Sequence, residues 1–276
     1  MRYPLLRFPY ISTALVLGAL ATEVLLTTAP LVWGQEMLQN AEHPTDNTTS
    51  EIDPAAIEAL KKMGETLAKK NNLAYDTDLM TEVVLGNGQK ILIGGKSRVR
   101  FRRPDHLRLE LETDSFKRHL FHDGTTLTLF VPDKNYVGEL EIQANTRTAL
   151  IRAAKEYGLE FPLMDLLEWG TSDAEAHKIQ EAFLVGHTQI DGNKVSHWAI
   201  RGPRLDWEIW LTEGEQVLPL RMSTVNKSDS NAPRFFANIR WQNAGHLTDK
   251  LFKPELPEDA KRIPFQKVQP AEVKND

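Results

Sequence analysis

The sequence has no cysteine in its 276 residues. That excludes a disulfide framework, Cys-ligated zinc, an iron–sulfur cluster, a thiol nucleophile and a lipid-modified N-terminal Cys. An excess of positive charge is missing too. Lys and Arg number 33 against 38 Asp and Glu, for a formal charge of −5. Nucleic-acid binders carry a basic face, so no nucleic-acid partner is expected. No Gly-x-Ser-x-Gly, His-Glu-x-x-His or Gly-x-x-x-x-Gly-Lys-Ser/Thr pattern occurs, so the common hydrolase, metalloprotease and P-loop signatures are absent. No cofactor is expected. What remains is 41% apolar and 26% charged, enough for one large folded domain or two small ones.

Only the N-terminus carries a long apolar run. Arg2 and Arg7 give a positive start, and Tyr10 to Leu26 is apolar except for Ser12, Thr13, Thr22 and Glu23. Thr27 to Pro30 break the run, and Val32-Trp33-Gly34 follows with small or modest residues. This is the three-part build of a secretory signal, predicted over residues 1–34. Glu23 leaves the uncharged stretch short of the ~20 residues a spanning helix needs. A soluble, exported protein without a permanent membrane anchor is therefore expected, in the periplasm if the source is bacterial. Residues 35–52 and 266–276 are polar and read as a flexible leader and tail.

The body, residues 53–265, opens with Asp53-Pro54, an N-cap and first-turn pair. Ile57, Leu60, Met63 and Leu67 then form an apolar stripe at helical spacing. Strand patterns follow. Tyr75, Thr77, Leu79, Thr81, Val83 and Leu85 share one face by the two-residue period. Gly86-Asn87-Gly88 predicts a hairpin, with Asn-Gly suited to a type I′ turn. Val99 and Phe101 alternate with Arg98, Arg100 and Arg102. Leu107, Leu109 and Leu111 alternate with Arg108, Glu110 and Glu112. Strands continue over Phe116–Phe121 and Thr126–Val131. Thr146–Tyr157 reads as a helix stopped by Gly158, followed by a short apolar piece from Pro162 through Trp169. A polar helical piece is predicted at Asp173–Gln180. Ala182–Ile190 and Lys194–Arg201 form a second hairpin series. Leu205, Trp207, Ile209 and Leu211 face one way on the next strand, and strands at Val217–Val225 and Arg234–Trp241 follow. Nine or ten strands in sequential hairpins, with helices grouped apart, predict an α+β fold. Its sheet is antiparallel and its helices cover one face.

Few residues invite chemistry. His119 and His122 lie three apart and point to opposite faces of a strand, so they share a metal only if the segment is not extended. His187 and His197 oppose each other only if their hairpin has a three-residue loop. Asp206 and Glu208 could do acid–base work, yet acids on the polar face of a strand are ordinarily just solvated. Arg98, Arg100 and Arg102 could bind a phosphate or carboxylate. Equally, they could pair with Glu110 and Glu112 on the neighbouring strand.

The apolar faces are the stronger signal. Tyr75, Leu79, Val83, Val99, Phe101, Leu107, Leu109, Leu111, Leu127, Leu129, Trp207, Ile209 and Leu211 would line one concave surface. Core packing is the ordinary reading of such a face. A leftover cavity would bind a hydrophobic ligand.

The run Gly95-Lys96-Ser97-Arg98-Val99-Arg100-Phe101-Arg102-Arg103-Pro104-Asp105-His106-Leu107-Arg108-Leu109, followed by His122-Asp123-Gly124-Thr125-Thr126-Leu127-Thr128-Leu129-Phe130, resembles the core of the LolA/LolB-like lipoprotein-carrier superfamily. Within it, the chain most resembles a family of predicted periplasmic proteins. Asp53-Pro54, Phe161-Pro162-Leu163, Asp206-Trp207-Glu208-Ile209-Trp210 and the segment from Phe252 to Ile263 carry that likeness. The resemblance implies an incomplete, curved antiparallel barrel with helices in or over its mouth, and no catalytic residue. It implies a lipid, acyl chain or lipoprotein as ligand. An envelope sensor or scaffold is the alternative, with the face bearing Arg98, Arg100 and Arg102, or Trp210, contacting an envelope protein. A metal-dependent hydrolase built on His119, His122 and Asp123 is the remaining alternative.

Overall fold

The computed structural model describes residues 52–159, 161–167 and 179–267. The signal, nearly all of the leader, Trp169, most of the predicted Asp173–Gln180 helix and most of the tail fall outside these residues. Ile179 and Gln180, at the end of that predicted piece, are not helical.

Helix α1 spans Pro54–Ala68. Asp53 caps it by accepting from the Ala55 N–H at 2.8 Å, which satisfies one of the orphan donors of the first turn. Its buried residues are Ala56, Leu60, Met63, Gly64 and Leu67. The predicted stripe is thus met except at Ile57, which is 40% exposed while Ala56 is fully covered. Helix α2 spans Thr146–Tyr157, capped by the Asn145 side chain and ended by Gly158 at φ 66°, a left-handed conformation that glycine adopts without steric cost.

Two antiparallel meanders make the sheet. The first is β1 (Asn72–Val84), β2 (Lys90–Arg102), β3 (His106–Thr113), β4 (Lys117–Asp123), β5 (Thr126–Val131) and β6 (Tyr136–Glu141). The second is β7 (Glu181–Ile190), β8 (Asn193–Arg201), β9 (Leu205–Thr212), β10 (Pro219–Asn226) and β11 (Arg234–Trp241). Pairing of β1 with β11, Tyr75 opposite Trp241, joins them into one open, curved sheet. A short β12 (Lys261–Arg262) adds to β6 in parallel. Among the described residues, twelve strands therefore stand where nine or ten are read from the sequence. Among the described residues, sheet dominates and α-helix is confined to α1 and α2.

The β1–β2 turn differs in type from the sequence expectation. Gly88 has positive φ and Asn87 does not. The Gly88 N–H bonds the Leu85 carbonyl, and the Leu85 N–H bonds that of Gln89. This is a three-residue loop closed by a left-handed glycine, not a two-residue type I′ turn. Asp191-Gly192 does form a two-residue loop, with both residues at positive φ.

One face of the sheet carries the core. Its residues from β1 to β5 and from β8, β9 and β11 join Ala56, Leu60, Met63 and Leu67 of α1 and Ala149 and Ala153 of α2 in one apolar cluster. The chain after β11 crosses the outer face instead. Arg102 donates to the Leu247 carbonyl at 2.8 Å and Phe252 is fully buried. Further on, Phe265 returns to the inner side, against Gly138, which stands opposite inner-face Leu129, and against Tyr157 of α2.

Candidate functional site

Strand alternation assigns the two faces. Of the thirteen residues proposed to line the inner face, Tyr75, Val99, Phe101, Leu107, Leu109, Leu127 and Ile209 are fully or almost fully covered, and Leu79, Leu111, Leu129, Trp207 and Leu211 are buried. Val83, near the β1 hairpin end, is half-buried. Leu205, expected on the same face as Trp207, is 44% exposed at the start of β9.

Among the described residues, the cover over this face is α1, α2, the segment 161–167, with Leu166 buried, and Phe265, which meets Tyr157 of α2. Hydrogen bonds from the helices and the segment join it to the sheet. The Asp53 N–H meets the Ala182 carbonyl at 2.8 Å, and the Thr146 N–H meets that of Pro104 at 3.0 Å. The Val217 N–H donates to Thr66 Oγ1 at 3.2 Å. Tyr75 Oη donates to the Leu163 carbonyl at 3.3 Å.

Four polar features interrupt the apolar lining. Thr77 and Ser97, both buried, bond each other at 2.7 Å. His122, fully covered, places Nε2 3.2 Å from the Ile142 carbonyl and Nδ1 3.4 Å from Thr146 Oγ1. Burial holds its pKa below the usual imidazole value, because the charged form would lose hydration. Arg118 pairs in register with inner-face Leu111 and lies over the Phe116 ring at 4.1 Å. Its burial lowers the guanidinium pKa to about 10. Trp198 is 6% exposed and its Nε1–H finds no acceptor among the described residues. Leaving a buried donor unpaired costs about 1–3 kcal/mol. Sequence reading misses Arg118 and Trp198 as site residues. The signal exists: each stands two residues from an apolar neighbour on its strand, Leu120 and Ile200.

The three arginines of β2 lie on the outer face and each has partners. Arg98 meets Glu110 at 2.8 Å and Arg100 meets Asp76 at 2.9 Å. Arg102 meets Asp249 at 2.5 Å and lies over the Phe252 ring at 5.1 Å. Beside Arg98 runs a shallow groove of about 190 Å³, lined among others by Asp76, Lys96, Glu110, Glu112 and Arg240.

The histidines and paired acids are dispersed. His122 is on the inner face, whereas His119 pairs with Glu110 and Phe130 on the outer face. The two-residue β7–β8 loop sets His187 opposite Ser196 and His197 opposite Gly186. His187 Nδ1 contacts Glu213 at 2.7 Å and Ser196 Oγ at 3.4 Å. Both partners thus use the same ring nitrogen, which is not the relay of a nucleophile, base and orienting acid. His197 bonds Glu208 at 3.1 Å and stacks on Trp210 at 3.8 Å. Asp206 pairs with Lys227, and Glu208 with Arg234, each at 2.7 Å. Among the described residues no three metal-ligating side chains converge, and no helix is long and apolar enough to cross a membrane.

The fold and its lining meet a known family here. The profile of a family described as predicted periplasmic protein (DUF2092) matches residues 56–266, and the chain belongs to that family. No curated protein matches the sequence. Among solved structures, the chain is similar to lipoprotein LppX of Mycobacterium tuberculosis, at 10% identity over 71% of this chain and 98% of that one, with a TM-score of 0.44. An uncharacterized conserved protein of Thermus thermophilus gives 12% identity, 76% and 99% coverage and a TM-score of 0.42. A LolA superfamily protein of Nitrosomonas europaea gives 10% identity, 72% and 97% coverage and a TM-score of 0.34.

Proposed function

We propose that this protein is a non-enzymatic periplasmic binder of a hydrophobic or lipidated ligand (a lipid, an acyl chain or a lipoprotein), held against the inner face of the sheet. One observation carries the reading. Among the described residues, an apolar face running across most of the sheet is covered by two helices, a short segment and Phe265, which rest on it through apolar contacts and a few hydrogen bonds. Each bond is worth about 0.5–1.5 kcal/mol net. An acyl chain that slides under the cover replaces one set of apolar contacts with another, so the exchange costs little hydrophobic free energy. The paired arginines and dispersed histidines leave the polar groups structural tasks.

Purified mature protein should bind a fluorescent fatty-acid probe saturably and release lipid on solvent extraction. Absence of both would sink the reading. A protein partner in the envelope is the second reading, favoured by the outer-face groove beside Arg98, whose side chain is 59% exposed. Crosslinking in cells separates the two, because a carrier yields lipidated cargo and a sensor yields one envelope protein.

A further inference from the structure

The indole N–H of Trp198 is a buried donor without an acceptor among the described residues. In register, Trp198 faces Ile209 on β9 and Leu184 on β7. Both neighbours are aliphatic and neither side chain can accept. Buried polar groups are satisfied in the great majority of native structures, and an exception asks for a reason. The second observation lies one strand away. Among the described residues β7 is the last strand of the sheet, bridged by Ile52 at Ala182, and Phe183, Leu184 and Val185 on it are 53%, 37% and 51% exposed. Edge strands are ordinarily blunted by charge, proline, a bulge or a covering element; here a bulge between Leu184 and Gly186 interrupts the pairing, and three large apolar side chains in succession stay exposed beside it. An unpaired interior donor and an exposed apolar rim thus meet at the Leu184–Trp198 pair.

Resting on the binding reading above, we propose that the ligand enters over the β7 edge and that a carbonyl at the head of its acyl chain accepts from Trp198 Nε1. The chain itself runs on under α1 along the inner face. The facing residues, Leu184 and Ile209, bring no cation to balance a carboxylate, and burying an unpaired charge is far more costly than burying a bonded neutral group. The ligand class is therefore an acyl ester or amide and not a free fatty acid. The rim on β7 takes the apolar chain before it is buried.

The test compares a monoacylglycerol with its alkyl glyceryl ether of equal chain length, each competing against a fluorescent lipid probe. Wild type should bind the ester more tightly than the ether. Trp198→Phe should weaken ester binding about 5–10-fold, the worth of one neutral hydrogen bond, and leave ether binding unchanged. Equal weakening of both, or of neither, overturns the assignment. In wild type, the Trp198 indole proton should move downfield in NMR with the ester and stay with the ether. That readout holds even if the variant fails to fold, and an unmoved resonance overturns the assignment. If wild type binds neither probe, the binding reading itself fails and the Trp198 assignment falls with it. If it binds both equally, only the Trp198 assignment fails. Val185→Asp should slow probe association several-fold, and an unchanged rate overturns entry over β7.

Discussion

His122 and Thr146 tie the sheet to the second helix. The imidazole Nδ1 of β4 stands 3.4 Å from the hydroxyl that opens α2, while Nε2 bonds the Ile142 carbonyl at 3.2 Å. A neutral ring satisfies both contacts, donating from Nε2 and accepting at Nδ1.

Acid should therefore loosen the protein in a defined window. Burial holds the folded His122 pKa below the usual 6.5, and His119 is lowered for the same reason. In that range the unfolded chain binds more protons than the folded one, so stability rises with pH. It is complete above pH 6.5 and is lost as pH falls toward the folded values. Thermal melts from about pH 7.5 to 5 should show a falling midpoint, and His122→Asn should flatten that slope. An unchanged slope would remove His122 from the account.

Gly95→Ala should destabilise the sheet by about 1–3 kcal/mol, the usual range for overpacking. A Cβ at Gly95 would sit 2.7 Å from the Glu112 carbonyl and 3.1 Å from Leu79 Cδ1. The first is backbone of a paired strand and cannot step aside. Urea unfolding measures the change, and a neutral result contradicts the close approach.

Arg102 and Arg98 should differ although they alternate on one face. Arg102→Ala leaves the Leu247 carbonyl without its donor and uncovers the Phe252 ring, a loss of about 1–3 kcal/mol. Hydrogen exchange should rise in residues 245–253. Arg98 is 59% exposed at its ion pair, and Arg98→Ala should cost at most about 1 kcal/mol. Equal effects would mean that the C-terminal segment does not depend on Arg102.

Met63→Ala should cost about 2–5 kcal/mol, because the side chain is fully buried where α1 meets the sheet core. Ile57→Ala, at an exposed position on the same helix, should change stability by less than about 0.5 kcal/mol. Denaturant midpoints of the two variants check which face of α1 packs. Comparable losses would place the helix in a different rotation.

Local signals are legible where their physics is local. Thr146–Tyr157 is read as a helix ended by Gly158, as the left-handed freedom of glycine allows, while the Asn145 cap emerges only in the structure. Strict alternation along Leu107, Leu109 and Leu111 assigns their face. Ile57 falls off the packed face because three- and four-residue spacing fits two neighbouring rotations of one helix, and only packing selects between them. The turn at Asn87-Gly88 departs from its expected type because the dipeptide suits more than one hairpin geometry. Trp198 and Arg118 escape a reading of the sequence because a donor's lack of an acceptor, or a guanidinium's burial, is a property of its surroundings.

By itself the sequence determined the periods, caps and turns, and hence two meanders of strands with an apolar and a polar face and helices set apart. Each of these depends on residues a few positions from one another. Only the tertiary structure decided that β1 pairs with β11, that β12 joins β6 in parallel, and that Arg102 holds Leu247 and Asp249. Those contacts span more than a hundred residues, and their free energy comes from burying whole faces together. No short pattern in the chain encodes that choice.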